Sequence, residues 1–514
     1  MKTGISRREL MTLIGGGVAL SALPTSAAWA QSATGSTLRI STRANPSSLD
    51  PMTGLAGDDT PVLWAVYATL LDFDYETLQP KPGLAESWSY PDERSFALKL
   101  RPNLTFHDGT PLNADAVKFN IDRSRSDPRS TIKTDLGSVE EVEIKGEDQV
   151  ILKLKQPDAL LPLALTSRAG MMVSPKAAKE LKENLVRNPV GAGPWSFVSW
   201  ADNDKIVMKK AENFWREGAA KVDAIEFVII PELNTGLRSV VAGQNHFVYR
   251  LSPQQKTVID RAKNVKLVNG PTLYFHLIYF NCSRPPFNDV RIRQAVCYAI
   301  DRDAFNNGSM LGLGEFANSA IPKAHWAYDA SLENFFAYNP EKSKALLADA
   351  GHAGGIDIPT IGWNDQYSQQ RQEILLEQLA KVGIRLKISR HAIADASTLY
   401  LGPEKRGEAM ISAWTGRPDP SMTYNLLTSA KGFFNPSQLQ DYPGLAEALV
   451  TAQSTLDPEK RKEALFKVQR LVAEAAWFCP IAFEPEIDGA ADSLENYRPN
   501  LLGWPKFEDV SVAV

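Results

Sequence analysis

Six histidines and three cysteines are among the side chains of this sequence that could ligate a metal or attack a substrate. No two histidines stand four residues apart, as a helical metal site would require; they lie at positions 107, 246, 276, 325, 352 and 391. The motifs G-x-S-x-G, H-E-x-x-H and G-x-x-x-x-G-K-[ST], typical of hydrolases, zinc proteases and nucleotide-binding loops, do not occur. We therefore predict a protein that binds without catalysis and needs neither metal nor cofactor.

The three cysteines, Cys282, Cys297 and Cys479, contain no C-x-x-C pair, so the sequence gives no support for a redox or zinc role. Their odd number leaves at least one thiol free. Cys297 falls on the apolar side of a predicted helix, which indicates a buried thiol. Spacing does not decide whether any two of the three form a disulfide.

Length and charge limit the class of protein. The chain has 514 residues, 44% of them hydrophobic, and a net charge of −4. A chain of this length is typical of about three domains with large apolar cores. The acidic balance excludes a basic nucleic-acid footprint, and we predict no nucleic-acid partner.

The first thirty residues are typical of an export signal. Lys2, Arg7 and Arg8 precede an apolar stretch at 10–23, and the Ala28-Trp29-Ala30 segment is an A-x-A-like cleavage site. The twin arginines predict a twin-arginine signal peptide over 1–30, with an ordinary secretory signal as the alternative. Cleavage near Ala30 would leave a periplasmic protein with no lipid-anchoring cysteine.

The elements after the signal indicate an α/β fold with mixed sheets. Residues 61–71 predict a helix, and alternating apolar residues over 139–154 predict a β-hairpin. Later in the chain, helices alternate with strands. One example is a helix over 368–382 that ends at Gly383 and is followed by a strand from Ile384. Such helix–glycine–strand units favour a layered sheet that is parallel in part.

An ordered set of segments resembles the extracytoplasmic solute-binding proteins of peptide-type ABC importers, the dipeptide, oligopeptide and nickel-binding class known as solute-binding family 5. The matching segments are SLDP at 48–51, LQPKPGLAESW at 78–88, LTFHDGTPL at 104–112, PVGAGPW at 189–195, FN at 280–281, PPF at 285–287, DVRIRQA at 289–295 and AIDR at 299–302. Each segment is short, but their order follows the family over nearly the whole exported chain.

The resemblance implies a two-lobed, periplasmic-binding-protein-like (type II) fold with an extra inserted domain. Domain I would be discontinuous, with an inserted domain II and a second lobe, domain III, connected by a two-segment hinge. The implied boundaries are 36–75 with 190–273 and 486–514 for domain I, 76–189 for domain II and 274–485 for domain III. A solute would be trapped when the lobes close about the hinge.

The segment 413–420 resembles the family motif that lines this cleft. In the peptide binders of the family, an Asp three residues after the Trp pairs with the free amino group of the ligand, and here that position is Arg417. Arg417 would repel an ammonium and attract a carboxylate. Alternatively, it pairs with Asp419 or another acid. Asp419 is expected either to accept a hydrogen bond from the solute or to cap the turn at Pro420. Trp414 is expected either to form an aromatic wall of the cleft or to pack in the core.

Three further places are candidates for lining the cleft. Tyr274 and His276 lie on the strand that enters the second lobe, and Gly54 with Leu55 follows the Asp-Pro loop. Trp363 and Asn364 end a short strand at the expected rim of the cleft.

The predicted function is capture of a small peptide-like or amino-acid-derived solute, anionic or opine-like, and its delivery to an ABC permease by a monomeric periplasmic protein. The alternatives are a nickel or metal-chelate receptor of the same fold and a secreted hydrolase with an unrecognised site.

Overall fold

The computed structural model describes residues 36–55, 57–438 and 442–513. The predicted signal peptide over 1–30, its twin arginines and its cleavage site lie outside the described residues. No helix within the described ranges is both long and apolar enough to span a bilayer.

The first large sheet has seven strands and combines parallel with antiparallel pairs. Strand Thr37–Thr42 lies near its centre, parallel to Ala224–Ile229 and to Phe247–Val248. Leu38 and Ile40 both lie in the core, because side chains two residues apart on a strand point to the same face of the sheet. In spatial order the strands are Val265–Gly270, Glu486–Ala491, Phe247–Val248, Thr37–Thr42, Ala224–Ile229, Lys205–Lys210 and Trp195–Ala201.

The second large sheet has six strands, with helices packed around it. Strand Ile356–Trp363 pairs in parallel with both of its neighbours, and the remaining pairs are antiparallel. In spatial order the strands are Glu315–Phe316, Phe478–Phe483, Phe275–Phe280, Ala409–Trp414, Ile356–Trp363 and Ile384–His391. The helices of this part are Val290–Tyr298, Arg302–Met310, Pro340–Asp349, Gln366–Ala380, Ile393–Leu401, Pro420–Thr428, Leu445–Ser454 and Pro458–Glu474.

A four-stranded antiparallel sheet forms a third layer of the molecule. It contains the predicted hairpin and packs against helix Ala114–Ser126, which Asn113 caps by accepting from the Ala116 amide. Its strands in order are Ala85–Asp92, Ser95–Leu100, Gln149–Leu154 and Val139–Lys145. The remaining strands are Leu71–Phe73, Pro80–Pro82, Leu494–Glu495 and Ser511–Val512, and the remaining α-helices are Asp59–Val66, Leu161–Ala164, Pro175–Leu181, Leu233–Val241 and Lys256–Ile259.

Two chain segments cross side by side from the seven-stranded sheet to the six-stranded sheet. One joins Val265–Gly270 to Phe275–Phe280, and the other joins Phe478–Phe483 to Glu486–Ala491. The Thr272 hydroxyl donates to the Glu484 carbonyl at 2.6 Å, and the Glu484 amide donates to the Tyr274 carbonyl at 2.8 Å. The two crossing segments are therefore hydrogen-bonded to each other between the sheets.

The predicted α/β class with mixed sheets is confirmed. All three cysteines are buried free thiols, and burial raises the pKa of Cys297 well above its usual value. The predicted burial of Cys297 is therefore also confirmed.

Candidate functional site

The loop that follows strand Ala409–Trp414 presents Arg417 at the surface of the six-stranded sheet. Gly416 has a φ of +68°, which glycine adopts without strain. The half-buried guanidinium of Arg417 lies 4.9 Å from the centre of the Trp414 ring and donates to the Gly416 carbonyl at 2.7 Å. Burial lowers the pKa of Arg417, but the group stays charged, since its ordinary pKa is above 12.

Asp419 and Trp414 are turned into the protein. Asp419 is 1% exposed, caps helix Pro420–Thr428 by accepting from the Ser421 amide at 2.9 Å and pairs with Arg461. Trp414 is 3% exposed and packs edge-on against Phe434 with ring centres 4.6 Å apart. The alternatives that the sequence allowed, capping for Asp419 and core packing for Trp414, describe these positions. Asp419 pairs with Arg461, so it is not the partner of Arg417.

The loop that carries Gly54 and Leu55 is fixed by two buried carboxylates. Asp50 accepts hydrogen bonds from both terminal nitrogens of Arg123, on helix Ala114–Ser126. Asp59 accepts from the Leu55 amide at 2.8 Å. Leu55 itself is 57% exposed, so the loop presents an apolar side chain to solvent.

Arg168 and Asp135 complete this group, although the sequence patterns did not single them out. Arg168 donates to the Gly54 carbonyl and to the Thr131 hydroxyl, the latter at 2.8 Å. Burial raises the pKa of Asp135, and the charges of Arg168 and Arg417 oppose that increase. Asp135 is therefore close enough to both guanidiniums to feel their charge. We call Arg168, Arg417 and Asp135 the arginine cluster.

A second charged group lies at the crossing segments. His276, predicted as a cleft residue, is 5% exposed, and its Nε2 lies 2.7 Å from a Glu484 carboxylate oxygen. Burial lowers the pKa of His276, and the charge of Arg371 lowers it further. Burial alone would raise the pKa of Glu484, but the His276 hydrogen bond and Arg371 lower it to about 2. Neutral His276 is therefore the donor and ionised Glu484 the acceptor.

Tyr274 and Trp363 lie beside this second group, whereas Asn364, which was predicted with them, contacts His391 and Gln369 instead. The half-buried ring of Tyr274 stands edge-on to His276 with centres 5.7 Å apart. Trp363 is half-buried at the end of its strand. Asn364 is exposed, and its backbone N–H donates to the His391 carbonyl at 2.9 Å. The sequence patterns missed Arg371, which pairs with Glu484 at 3.1 Å.

The geometry favours holding a polar solute. Arginines, carboxylates and half-buried aromatic rings lie on the loop after strand Ala409–Trp414 and at the crossing segments, a usual composition for a small-molecule site. Within the described ranges, no group of three or more His, Cys, Asp or Glu side chains is placed to hold a metal ion.

Comparison with known proteins identifies the family of the chain. The family model described as "Bacterial extracellular solute-binding proteins, family 5 Middle" matches residues 79–435. The glutathione-binding protein GsiB of Escherichia coli (strain K12) is 27% identical over 477 residues, which are 89% of this chain and 91% of GsiB.

Solved structures share the fold over nearly the whole chain. HbpA2 from Haemophilus parasuis is 23% identical with a TM-score of 0.83, covering 93% of this chain and 100% of HbpA2. AgaA from A. tumefaciens R10, in complex with agropinic acid, is 23% identical with a TM-score of 0.72, covering 93% of this chain and 99% of AgaA. The expected periplasmic-binding-protein-like fold is confirmed. The chain belongs to family 5 of the bacterial extracellular solute-binding proteins, the solute-binding proteins of peptide-type ABC importers.

Proposed function

We propose that this protein captures an anionic, peptide-like or amino-acid-derived solute between its two large sheets and releases it unchanged to an ABC permease. The observation that carries the proposal is the half-buried guanidinium of Arg417, whose charge, like that of Arg168, acts on Asp135. Asp135 and Asp59 both offset the charge of Arg168. Among the described residues, no ion pair joins Arg417 to a carboxylate, and its guanidinium donates only to Thr415 and to the Gly416 carbonyl. The Arg417 guanidinium can therefore pair with a solute carboxylate.

Electrostatics favours an acid over an amine at this place. Two like charges 4 Å apart at an effective dielectric constant of about 20 repel by about 4 kcal/mol. A carboxylate at the same distance is attracted and can accept two parallel hydrogen bonds from a guanidinium. A solute whose amine is blocked, as in an opine or an acylated peptide, avoids the repulsion.

The proposed domain division follows the sheets. Domain I (36–75, 190–273 and 486–514) corresponds to the seven-stranded sheet, domain II (76–189) to the four-stranded sheet and domain III (274–485) to the six-stranded sheet. We propose that the crossing segments at 271–274 and 484–485 act as the hinge.

We also propose that the signal over 1–30 directs export and that the protein acts as a monomer.

Calorimetric titration with matched solutes tests this function. The panel contains glutathione, agropinic acid, the dipeptide Ala-Glu and N-acetyl-Ala-Glu, with small-angle scattering to detect compaction. We expect N-acetyl-Ala-Glu to bind more tightly than Ala-Glu, and mass spectrometry to recover every bound solute intact. Tighter binding of the free amine, or conversion of the solute, would contradict the proposal.

A further inference from the structure

A small cavity, with space for about one water-sized group, lies beside the end of strand Ile356–Trp363. Two of its lining residues, Trp363 and Arg371, have a buried N–H group, at Nε1 and Nε respectively, with no acceptor among the described residues. Buried donors are nearly always paired, and leaving one unpaired costs about 1–3 kcal/mol. A group that enters the cavity can therefore supply the acceptor that these two donors lack.

Close packing fixes the two donors on neighbouring elements. A Cβ at Gly362 would lie within 2.9 Å of the Gln372 side chain, so glycine lets helix Gln366–Ala380 approach the strand. Gln372 donates to the Trp363 carbonyl at 2.8 Å and accepts from Arg390 at 2.8 Å. Arg371 precedes Gln372 on this helix, so the donors are held before a solute arrives.

The charges around the cavity favour an uncharged acceptor. Arg371 already pairs with the ionised Glu484, and His276, which also lines the cavity, is neutral. The carboxylate of Asp365 caps the start of the helix and adds a further negative charge nearby. A carbonyl oxygen has two lone pairs and can accept from both N–H groups without a net charge. The cavity has space for one such water-sized group.

We propose that this cavity receives an uncharged carbonyl oxygen of the solute, of the amide type, between Trp363 Nε1–H and Arg371 Nε–H. The proposal rests on the proposed function, because it requires the solute to lie between the two large sheets. The helix begins at that boundary, where the Tyr367 hydroxyl lies 3.2 Å from the Ser252 hydroxyl. Trp363 and Arg371 would then determine specificity for amides, as Arg417 does for acids.

The test titrates acetamide and acetate into the exported chain carrying ¹⁵N-labelled tryptophan and follows the indole N–H resonances. The Trp363 resonance is identified by its loss in Trp363→Phe. Trp326 is the matched control, because its Nε1 is also buried without an acceptor but does not line this cavity. The variant Arg371→Lys keeps the positive charge and removes the Nε–H.

We expect acetamide to shift the Trp363 resonance saturably, with acetate at least tenfold weaker and the Trp326 resonance unmoved. Arg371→Lys should weaken the acetamide response at least fivefold. Absence of a saturable shift, an equal or stronger response to acetate, or an undiminished response in Arg371→Lys would overturn the proposal. If a solute of the panel binds but acetamide does not shift the Trp363 resonance, this inference alone is refuted. An acetamide response with no binding by the panel would refute the proposed solute class instead.

Discussion

Gly416 lies directly against Leu273: a Cβ at Gly416 would stand 2.4 Å from the Leu273 Cβ. Leu273 belongs to a segment that crosses between the two large sheets, and Gly416 belongs to the loop that presents Arg417. The proposed solute contact is therefore fixed against the proposed hinge, and a change at this glycine should affect stability and binding together.

We expect Gly416→Ala to lower the free energy of unfolding by about 2–4 kcal/mol, since it adds a steric clash to a left-handed backbone position. Solute affinity should decrease as well. Urea unfolding and calorimetric titration measure the two effects. Gly218→Ala is the matched control, because Gly218 has a φ of +77° but no atom within 4 Å of its added Cβ. Equal losses in the two variants would show that contact with Leu273 does not matter.

The Asp50–Arg123 pair should stabilise both the fold and the Leu55 loop. Its side chains are only 3% and 15% exposed. Arg123→Met leaves the buried Asp50 carboxylate without its charged partner, which we expect to cost about 3–5 kcal/mol in urea unfolding. Solute binding should weaken because the loop loses its anchor.

An exposed ion pair provides the control for this prediction. Lys344 pairs with Glu341, with side chains 48% and 80% exposed. Lys344→Met should therefore cost less than about 1 kcal/mol. If Arg123→Met costs no more than Lys344→Met, the Asp50 pair does not anchor the loop.

A buried acid pair beside the crossing segments should make stability depend on pH. Burial raises the pKa of Asp488 to about 6 and that of Glu486 well above its usual value. Between about pH 4 and 6 the folded protein therefore holds protons that the unfolded chain has released, so stability decreases as pH rises. We expect Glu486→Gln to reduce this decrease by about 1–3 kcal/mol, measured by urea unfolding across pH 2–8.

The opposite slope is expected from Glu484, whose pKa of about 2 lies below its usual value. Its contribution is present above about pH 4.5 and is lost as pH falls toward 2. Glu495 is exposed, so Glu495→Gln should leave both limbs of the pH curve unchanged. An unchanged wild-type slope in Glu486→Gln would exclude the acid pair as the cause of the decline.

Local patterns predicted most elements but not where tertiary contacts end them. The helix predicted over 61–71 was wrong in extent, since the structure ends it at Val66. The Val66 carbonyl accepts from the Gly193 amide at 2.8 Å, and a Cβ at Gly191 would lie 2.2 Å from that carbonyl oxygen. These two glycines therefore pack against the helix end, a contact between residues more than 120 positions apart.

The candidate site was predicted only where a short motif marked it. The spacing of Trp414, Arg417 and Asp419 drew attention to the loop of the candidate site, but it could not show that Arg461 from a distant helix pairs with Asp419. Arg168 and Arg371 carry no local pattern. Tertiary packing between elements determines the position of each, and no local sequence motif predicts that packing.

The charge of Arg417 is the central claim, and reversing it is the most direct test. We expect wild-type protein to bind N-acetyl-Ala-Glu at least tenfold more tightly than Ala-Glu, about 1.4 kcal/mol, and Arg417→Asp to invert that preference. Arg406→Asp, at a side chain 63% exposed, serves as the control and should keep the wild-type preference. Calorimetric titration showing the same preference in wild type and Arg417→Asp would contradict a solute contact at Arg417.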